Sequence, residues 1–357
     1  FTKWISIFPL HHIILSKIQI LVQDKYLLRL LHCSISLVIP YLFYVCLKNK
    51  YEKIDKNLLF LFSLIIFLLP SFRSGAIWAN SQITGLIFFL FSLIFFINWM
   101  KKKDFSRINL DLFLQIVFMS LAVYTRQLYA AVFLYFVFIY YKKLKFKIFI
   151  LSSIIIFLFA LPGIFLVLNF PILLGLTFDS RHYNSILVNS SIISFYLIPI
   201  YFSLFFDKKI NFNFKDKKII IASIFSLFIT LIFSQYFNYN FRLGGGFFLK
   251  LSIIIFDNFY LFFISSFIGL FLIALLSFED KDNFLLIALL ILAFSGFYIA
   301  QKYFEPIFLL LLFIVLETKI TYKFFSNFKH TYFYYGYILI YFISAVINDV
   351  FRITKSI

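Results

Sequence analysis

Apolar residues run along this chain in long uninterrupted stretches, separated by short polar segments rich in lysine. A helix needs about 20 mostly apolar residues to cross a bilayer. Twelve stretches come near that length: 28–47, 57–70, 83–99, 108–124, 127–141, 147–168, 186–206, 218–236, 251–277, 284–300, 305–318 and 331–350. Those at 57–70 and 305–318 are short for a span. The runs are continuous, without the weak alternation of a transmembrane barrel strand. The pattern therefore predicts an all-α polytopic membrane protein of about twelve transmembrane helices with short loops. Residues 1–357 read as a single transmembrane domain, with no separate soluble domain.

Composition narrows the class. The 357 residues are 63% hydrophobic and 13% charged, against roughly 25% charged in soluble domains. That excludes a soluble globular enzyme, a disordered chain and a secreted disulfide scaffold. The net charge of +18 would suggest nucleic acid in a soluble protein, but here its placement gives another cause. Loops 48–56, 101–107, 142–147, 207–218, 278–283 and 319–330 hold 21 Lys and Arg, and the alternate loops hold 6. The positive-inside rule puts the first set in the cytoplasm, and nucleic acid is not expected as a partner. The Phe, Ile, Lys and Asn usage resembles that of an AT-rich bacterial genome, so a bacterial inner membrane is expected. The chain begins at Phe1 without a signal-peptide pattern, and is read as lacking its N-terminus and whatever helices precede it.

The basic residues divide by type. Of 7 Arg, only Arg107 lies in the lysine-rich loops; Arg29, Arg73, Arg126, Arg181, Arg242 and Arg352 fall at the outer segments or outer span ends. Lysine suffices for a topology signal, whereas guanidinium binds phosphate in bidentate fashion. Four outer segments combine an Arg with groups that suit sugar or phosphate. Pro70–Thr84 carries Arg73, Trp78, Asn80 and Gln82. Tyr124–Gln127 sets Arg126 and Gln127 at a tight turn, where a near-membrane charge points to function. Asp179–Asn184 holds Asp179, Arg181, His182 and Tyr183, an acid–base set beside a guanidinium. Asn240–Gly246 joins Arg242 to three glycines whose backbone can approach an anion. Glu305, at the mouth of an apolar run, precedes Pro306, which suits the first turn of a following helix. Each segment also has a plain reading as an interfacial or solvated turn. His11 and His12 are adjacent and point to different faces. With Cys33 and Cys46 in one apolar run, no protein-built metal site is identified. A divalent metal is left open and no cofactor is assigned.

The order of these segments resembles the GT-C membrane glycosyltransferases. Phe8-Pro-Leu-His-His followed by Leu27-Leu-Arg29-Leu-Leu is similar to the stretch after their first outer loop. Leu69-Pro70 through Asn80-Ser81, leading to a span ending in Lys101-Lys-Lys, is similar to their next outer turn. Tyr124-Thr-Arg126-Gln127 before an aromatic-rich span resembles the dolichyl-phosphoglucose glucosyltransferase branch. The likeness covers roughly residues 5–140. It implies a GT-C-like bundle, a polyprenyl-phosphate-linked sugar donor and an outer-face acceptor. It also implies a carboxylate that takes the acceptor's proton, with Arg73, Arg126, Arg181 and Arg242 on the donor phosphate. Trp78, Asn80, Gln82, Gln127, His182 and Tyr183 would contact the substrate. These families place their catalytic Asp or Glu in the first large outer loop. None precedes Phe8, so that residue is expected upstream of Phe1, with Asp179 and Glu305 as fallbacks. Two other readings stay open. One is a lipid-linked polysaccharide polymerase or ligase, which often has one long outer loop. The other is a transporter or flippase, which would place polar residues at broken helices near mid-span. The sugar, the acceptor and the oligomeric state are not legible.

Overall fold

The structure, a computed structural model, describes residues 8–170, 182–210, 215–294 and 299–354. Among these the chain is helical and contains no strand. The helices are α1 (Leu10–Val22), α2 (Lys25–Ser36), α3 (Val38–Lys50), α4 (Lys56–Ser63), α5 (Pro70–Ile77), α6 (Ser81–Lys102), α7 (Leu110–Thr125), α8 (Tyr129–Lys143), α9 (Phe146–Asn169), α10 (His182–Phe206), α11 (Lys217–Gln235), α12 (Gly246–Phe256), α13 (Tyr260–Glu279), α14 (Lys281–Ala293), α15 (Gln301–Leu310), α16 (Lys319–Phe324) and α17 (Phe328–Thr354).

Seven helical segments among the described residues are long and apolar enough to cross a membrane: Lys25–Lys50, Ser81–Lys102, Phe146–Asn169, Asn184–Phe206, Lys217–Gln235, Tyr260–Glu279 and Phe328–Ile347. They cover four of the twelve expected stretches in full, all but the last residue of 218–236, and most of 251–277 and 331–350. Lys56–Leu68 and Pro70–Ile77 reach that length only as a pair, bent by 67° at the break. Pro70 has no N–H to continue the ladder, so the chain turns there. The expected helix at 251–277 is two helices. Asp257 takes a left-handed φ of 49° after α12, and Asn258 caps the next turn by accepting the N–H of Tyr260 at 3.0 Å. The stretches at 108–124, 127–141, 284–300 and 305–318 contain helices of 16, 15, 13 and 10 residues. Three of them are shorter than the apolar run that suggested them, and the second, Tyr129–Lys143, equals its run in length but starts two residues later.

The chain folds as two compact units: Phe1–Glu52 with Ser74–Thr177, and Lys53–Arg73 with Phe178–Ile357. In the first, α6 packs along α7 and α3 over a core that includes Phe43, Leu47, Leu86, Phe89, Leu93, Trp99, Ile116 and Met119. Helix α9 lies at the margin and leaves Phe157, Leu158, Phe165 and Leu168 exposed, an apolar face suited to lipid. Pro162 sits within α9. The Tyr124 hydroxyl enters the ladder there, donating to the Phe159 carbonyl and accepting the Gly163 N–H at 2.9 Å. The hydroxyl thus bonds two backbone groups of the turn that holds Pro162.

In the second unit, α10 is central and packs against α13, α12 and α17. Small polar residues let it come close to α13. The Ser191 and Ser265 hydroxyls lie 2.7 Å apart, and Ser266 donates to the Leu187 carbonyl at 3.0 Å. A Cβ at Gly269 would lie 2.0 Å from the Ser190 carbonyl oxygen. Such small and hydroxyl residues are how helices associate where lipid is as apolar as leucine. Buried polar groups thus occur inside α10 as well as at span ends, and here they serve packing. Helix α15 starts four residues before Glu305, so Pro306 lies inside it rather than in its first turn. The helix then loosens into a π-turn over Leu311–Val315, and the whole segment from Phe304 is buried.

Candidate functional site

In the first unit, the turn after α5 is held from two sides. His11 of α1 lies 2.9 Å through Nδ1 from the Thr84 hydroxyl and 2.8 Å through Nε2 from the Ala79 carbonyl. A carbonyl only accepts, so Nε2 carries the proton and Nδ1 accepts from Thr84. His11 is buried, and that burial lowers its pKa from 6.5 to about 4; the bond to Ala79 opposes the shift, and His12 and His32 add to it. The imidazole is therefore neutral near pH 7. His32 of α2 meets the Ala76 carbonyl through Nδ1 at 3.2 Å. One turn earlier on α2, the Arg29 guanidinium lies 4.9 Å from the centre of the Trp78 ring, a cation–π contact. Trp78 itself is 65% exposed.

The other predicted residues of this unit lie at helix ends. Asn80 caps α6 by accepting the N–H of Gln82 at 3.1 Å, and the Gln82 side chain is buried. Arg126 and Gln127 form the break between α7 and α8: the Arg126 N–H closes on the Ala122 carbonyl at 3.0 Å, and its φ of −152° leaves the helix.

In the second unit, polar groups converge on α15. Glu305 is 1% exposed. One carboxylate oxygen accepts the Ser71 N–H at 2.9 Å, and the other accepts the Tyr341 hydroxyl. Ser71 follows Pro70 in the first turn of α5, where an N–H has no partner within its own helix. Glu305 thus caps α5 from a distant part of the chain. One turn earlier, Gln301 does the same for α12, accepting the Phe247 N–H at 2.7 Å while its amide lies 3.4 Å from the Tyr196 hydroxyl. Arg73, two residues into α5 from Ser71, is exposed and lies 4.6 Å from the centre of the Phe342 ring, next to Tyr341.

Arg242 is also exposed, in a short 3-10 turn before the glycines. Those glycines are buried, which differs from an open anion cradle. Gly245 donates its N–H to the Ile299 carbonyl at 2.7 Å. Gly244 has φ of 137°, and a Cβ there would lie 2.3 Å from that same carbonyl oxygen. The glycines bring the loop against the residues leading into α15. Asp179 and Arg181 lie outside the described residues, while His182 and Tyr183 open α10.

In the first unit Trp78, Asn80 and Gln82 lie near His11 and Arg29, and Arg126 and Gln127 lie at the α7–α8 break; in the second, Arg73, Glu305 and the Arg242 loop lie around α15. Sequence reading missed Gln301, Ser71, Tyr341 and His32. The available signal was Gln301 and Glu305 four apart, on one helical face inside an apolar region. A cavity of about 570 Å³ lies elsewhere in the second unit, lined by residues including Tyr201, Lys218, Glu279, Glu317, Lys319 and Lys323. None of the predicted site residues borders it. Among the described residues no group of three or more His, Cys, Asp or Glu could hold a metal. Comparison with protein-family models, curated proteins and solved structures finds no match to this chain.

Proposed function

We propose that this protein is a membrane glycosyltransferase of the GT-C kind, drawing sugar from a polyprenyl-phosphate donor. The carrying observation is the exposed Arg73 guanidinium, laid on Phe342 beside a broken apolar helix whose new first turn is fixed by buried Glu305. A guanidinium held against an aromatic face at such a break is set for a phosphate that arrives from the bilayer. In the reaction, the acceptor hydroxyl loses its proton to a carboxylate and attacks the anomeric carbon. The bond to the carrier phosphate breaks, and the departing phosphate gains charge. Arg73 and Arg242 stabilise that charge in the second unit, where a fixed cation acts without reorganising. Glu305 is buried and both its oxygens are occupied, so it holds structure rather than taking the acceptor's proton. The orientation proposed has the lysine-rich loops in the cytoplasm and the arginine segments outside, in a bacterial inner membrane, within a bundle of about twelve spans.

A second reading, transport or flipping of a lipid-linked sugar, is favoured by the 67° break itself with a carboxylate at it, since transporters place binding sites at broken helices. Proteoliposomes carrying the purified protein, a polyprenyl-phosphate sugar labelled in the sugar and a membrane extract as acceptor separate the two. Transfer yields a new labelled product and free polyprenyl phosphate. Transport moves the intact labelled lipid between leaflets and yields neither.

A further inference from the structure

Helix α15 contributes two buried acceptors, Gln301 and Glu305, one turn apart on one face. Each takes the N–H of the second residue of a different helix: Phe247 of α12 at 2.7 Å and Ser71 of α5 at 2.9 Å. Side chains four apart on a helix have Cβ atoms about 5–6 Å from each other, so the starts of α5 and α12 are brought to one place. Ring contacts close the arrangement. Tyr341, which donates to Glu305, packs edge-on against Phe247 with ring centres 5.8 Å apart. Its neighbour Phe342 lies under Arg73. The loop carrying Arg242 is tied to the same place a second time. Gly245 bonds the Ile299 carbonyl, and the Tyr239 hydroxyl accepts the Ile299 N–H at 2.9 Å. Both arginines lie within a few residues of these anchors, and both are exposed.

We infer that α15 is the template of a single phosphate site: Glu305 and Gln301 hold the first turns of α5 and α12 so that Arg73 and Arg242 face one lipid-borne phosphate group. This rests on the reading given above and makes it specific to two positioning residues. Glu305 acts as a hydrogen-bond acceptor and not through its charge. An amide at that position still accepts the Ser71 N–H and can donate to the Tyr341 oxygen.

The test uses the full chain in detergent with a long-chain polyprenyl monophosphate as probe. The corresponding polyprenol and inorganic phosphate are the controls. Arg73→Ala and Arg242→Ala should each weaken polyprenyl phosphate binding by about tenfold or more, as expected for loss of a charge-assisted bond, and leave polyprenol binding unchanged. Glu305→Ala should weaken binding to a similar degree in the wild-type background and have no further effect in Arg73→Ala. Gln301→Ala should behave in the same way relative to Arg242→Ala. Glu305→Gln should restore binding. Hydrogen exchange supplies a readout independent of the ligand: Glu305→Ala should speed exchange in 70–77, and Gln301→Ala in 246–251. The inference is overturned if Glu305→Gln is as defective as Glu305→Ala, or if Glu305→Ala weakens binding further without Arg73. Wild-type binding that ignores Arg73 and Arg242 overturns this site alone and leaves the enzyme reading standing. No wild-type binding of polyprenyl phosphate overturns both. Competition by inorganic phosphate at equal concentration would make the site one for free phosphate and overturn the lipid-borne assignment.

Discussion

The phenol oxygen of Tyr124 accepts the backbone N–H of Gly163 at 2.9 Å while its hydrogen goes to the carbonyl of Phe159. These are the two groups that an unbroken helical ladder pairs with each other, and Gly163 follows Pro162 directly. Tyr124→Phe removes both bonds, at a cost of about 1–3 kcal/mol for a buried group left without a partner. Pro162→Ala should let the ladder close. The destabilisation by Tyr124→Phe, measured by thermal unfolding in detergent, should therefore shrink markedly in the Pro162→Ala background. Equal losses in both backgrounds would mean that the hydroxyl is not substituting for the ladder bond.

His11 sets a pH dependence whose sign follows from its burial. Its pKa falls from 6.5 to about 4 in the folded chain, so between those values the unfolded chain takes up a proton that the folded chain refuses. Its contribution to stability is complete above about pH 6.5 and is lost as pH falls toward 4. The melting temperature of the wild type should drop between pH 7 and pH 4.5 by more than that of His11→Asn. Parallel curves would remove His11 as the source.

Close approach of α10 and α13 depends on Gly269. A Cβ there would sit 2.0 Å from the Ser190 carbonyl oxygen, a backbone atom that cannot swing aside. Gly269→Ala should destabilise the protein by about 1–3 kcal/mol through overpacking. Gly336→Ala, where the added carbon would enter open space, should raise stability by up to about 1 kcal/mol through helix propensity. Chemical denaturation of the two variants in parallel measures the difference.

The charge asymmetry makes a direct prediction of orientation. With Cys33 and Cys46 replaced by Ala, a cysteine at Lys103 should react with an impermeant thiol reagent only after the membrane is opened from the cytoplasmic side. A cysteine at Trp78 should react from outside in intact cells. The reverse pattern would invert the orientation proposed from the lysine-rich loops.

Much of the helical architecture is legible in the chain because burial in lipid requires long apolar runs, and stretches such as 83–99 and 147–168 map onto α6 and α9. The breaks are less legible. Asp257 and Asn258 are two polar residues inside an apolar stretch, and whether such a pair faces a neighbour or ends a helix depends on packing that the local pattern does not encode. Helix length is hidden for the same reason: apolar residues at 305–318 suit a span equally well or, as here, a short buried helix with a π-turn. At the site, the arginines are visible as unusual residues at span ends. Their supports are not, since Glu305 finds Ser71 across 234 positions and Tyr341 across 36. The Gly244–Gly246 run was visible, yet its role came from the Ile299 carbonyl beneath it.

Under the proposed function, the chain transfers sugar from a polyprenyl-phosphate donor with Arg73 on the departing phosphate. The most direct measurement is kcat/KM of the purified protein and of Arg73→Ala with labelled polyprenyl-phosphate sugars and a membrane extract as acceptor. Transfer by the wild type, lowered about 10²-fold or more in Arg73→Ala, is the predicted result. A wild type that transfers no sugar from any such donor, or an Arg73→Ala variant as active as the wild type, would contradict it.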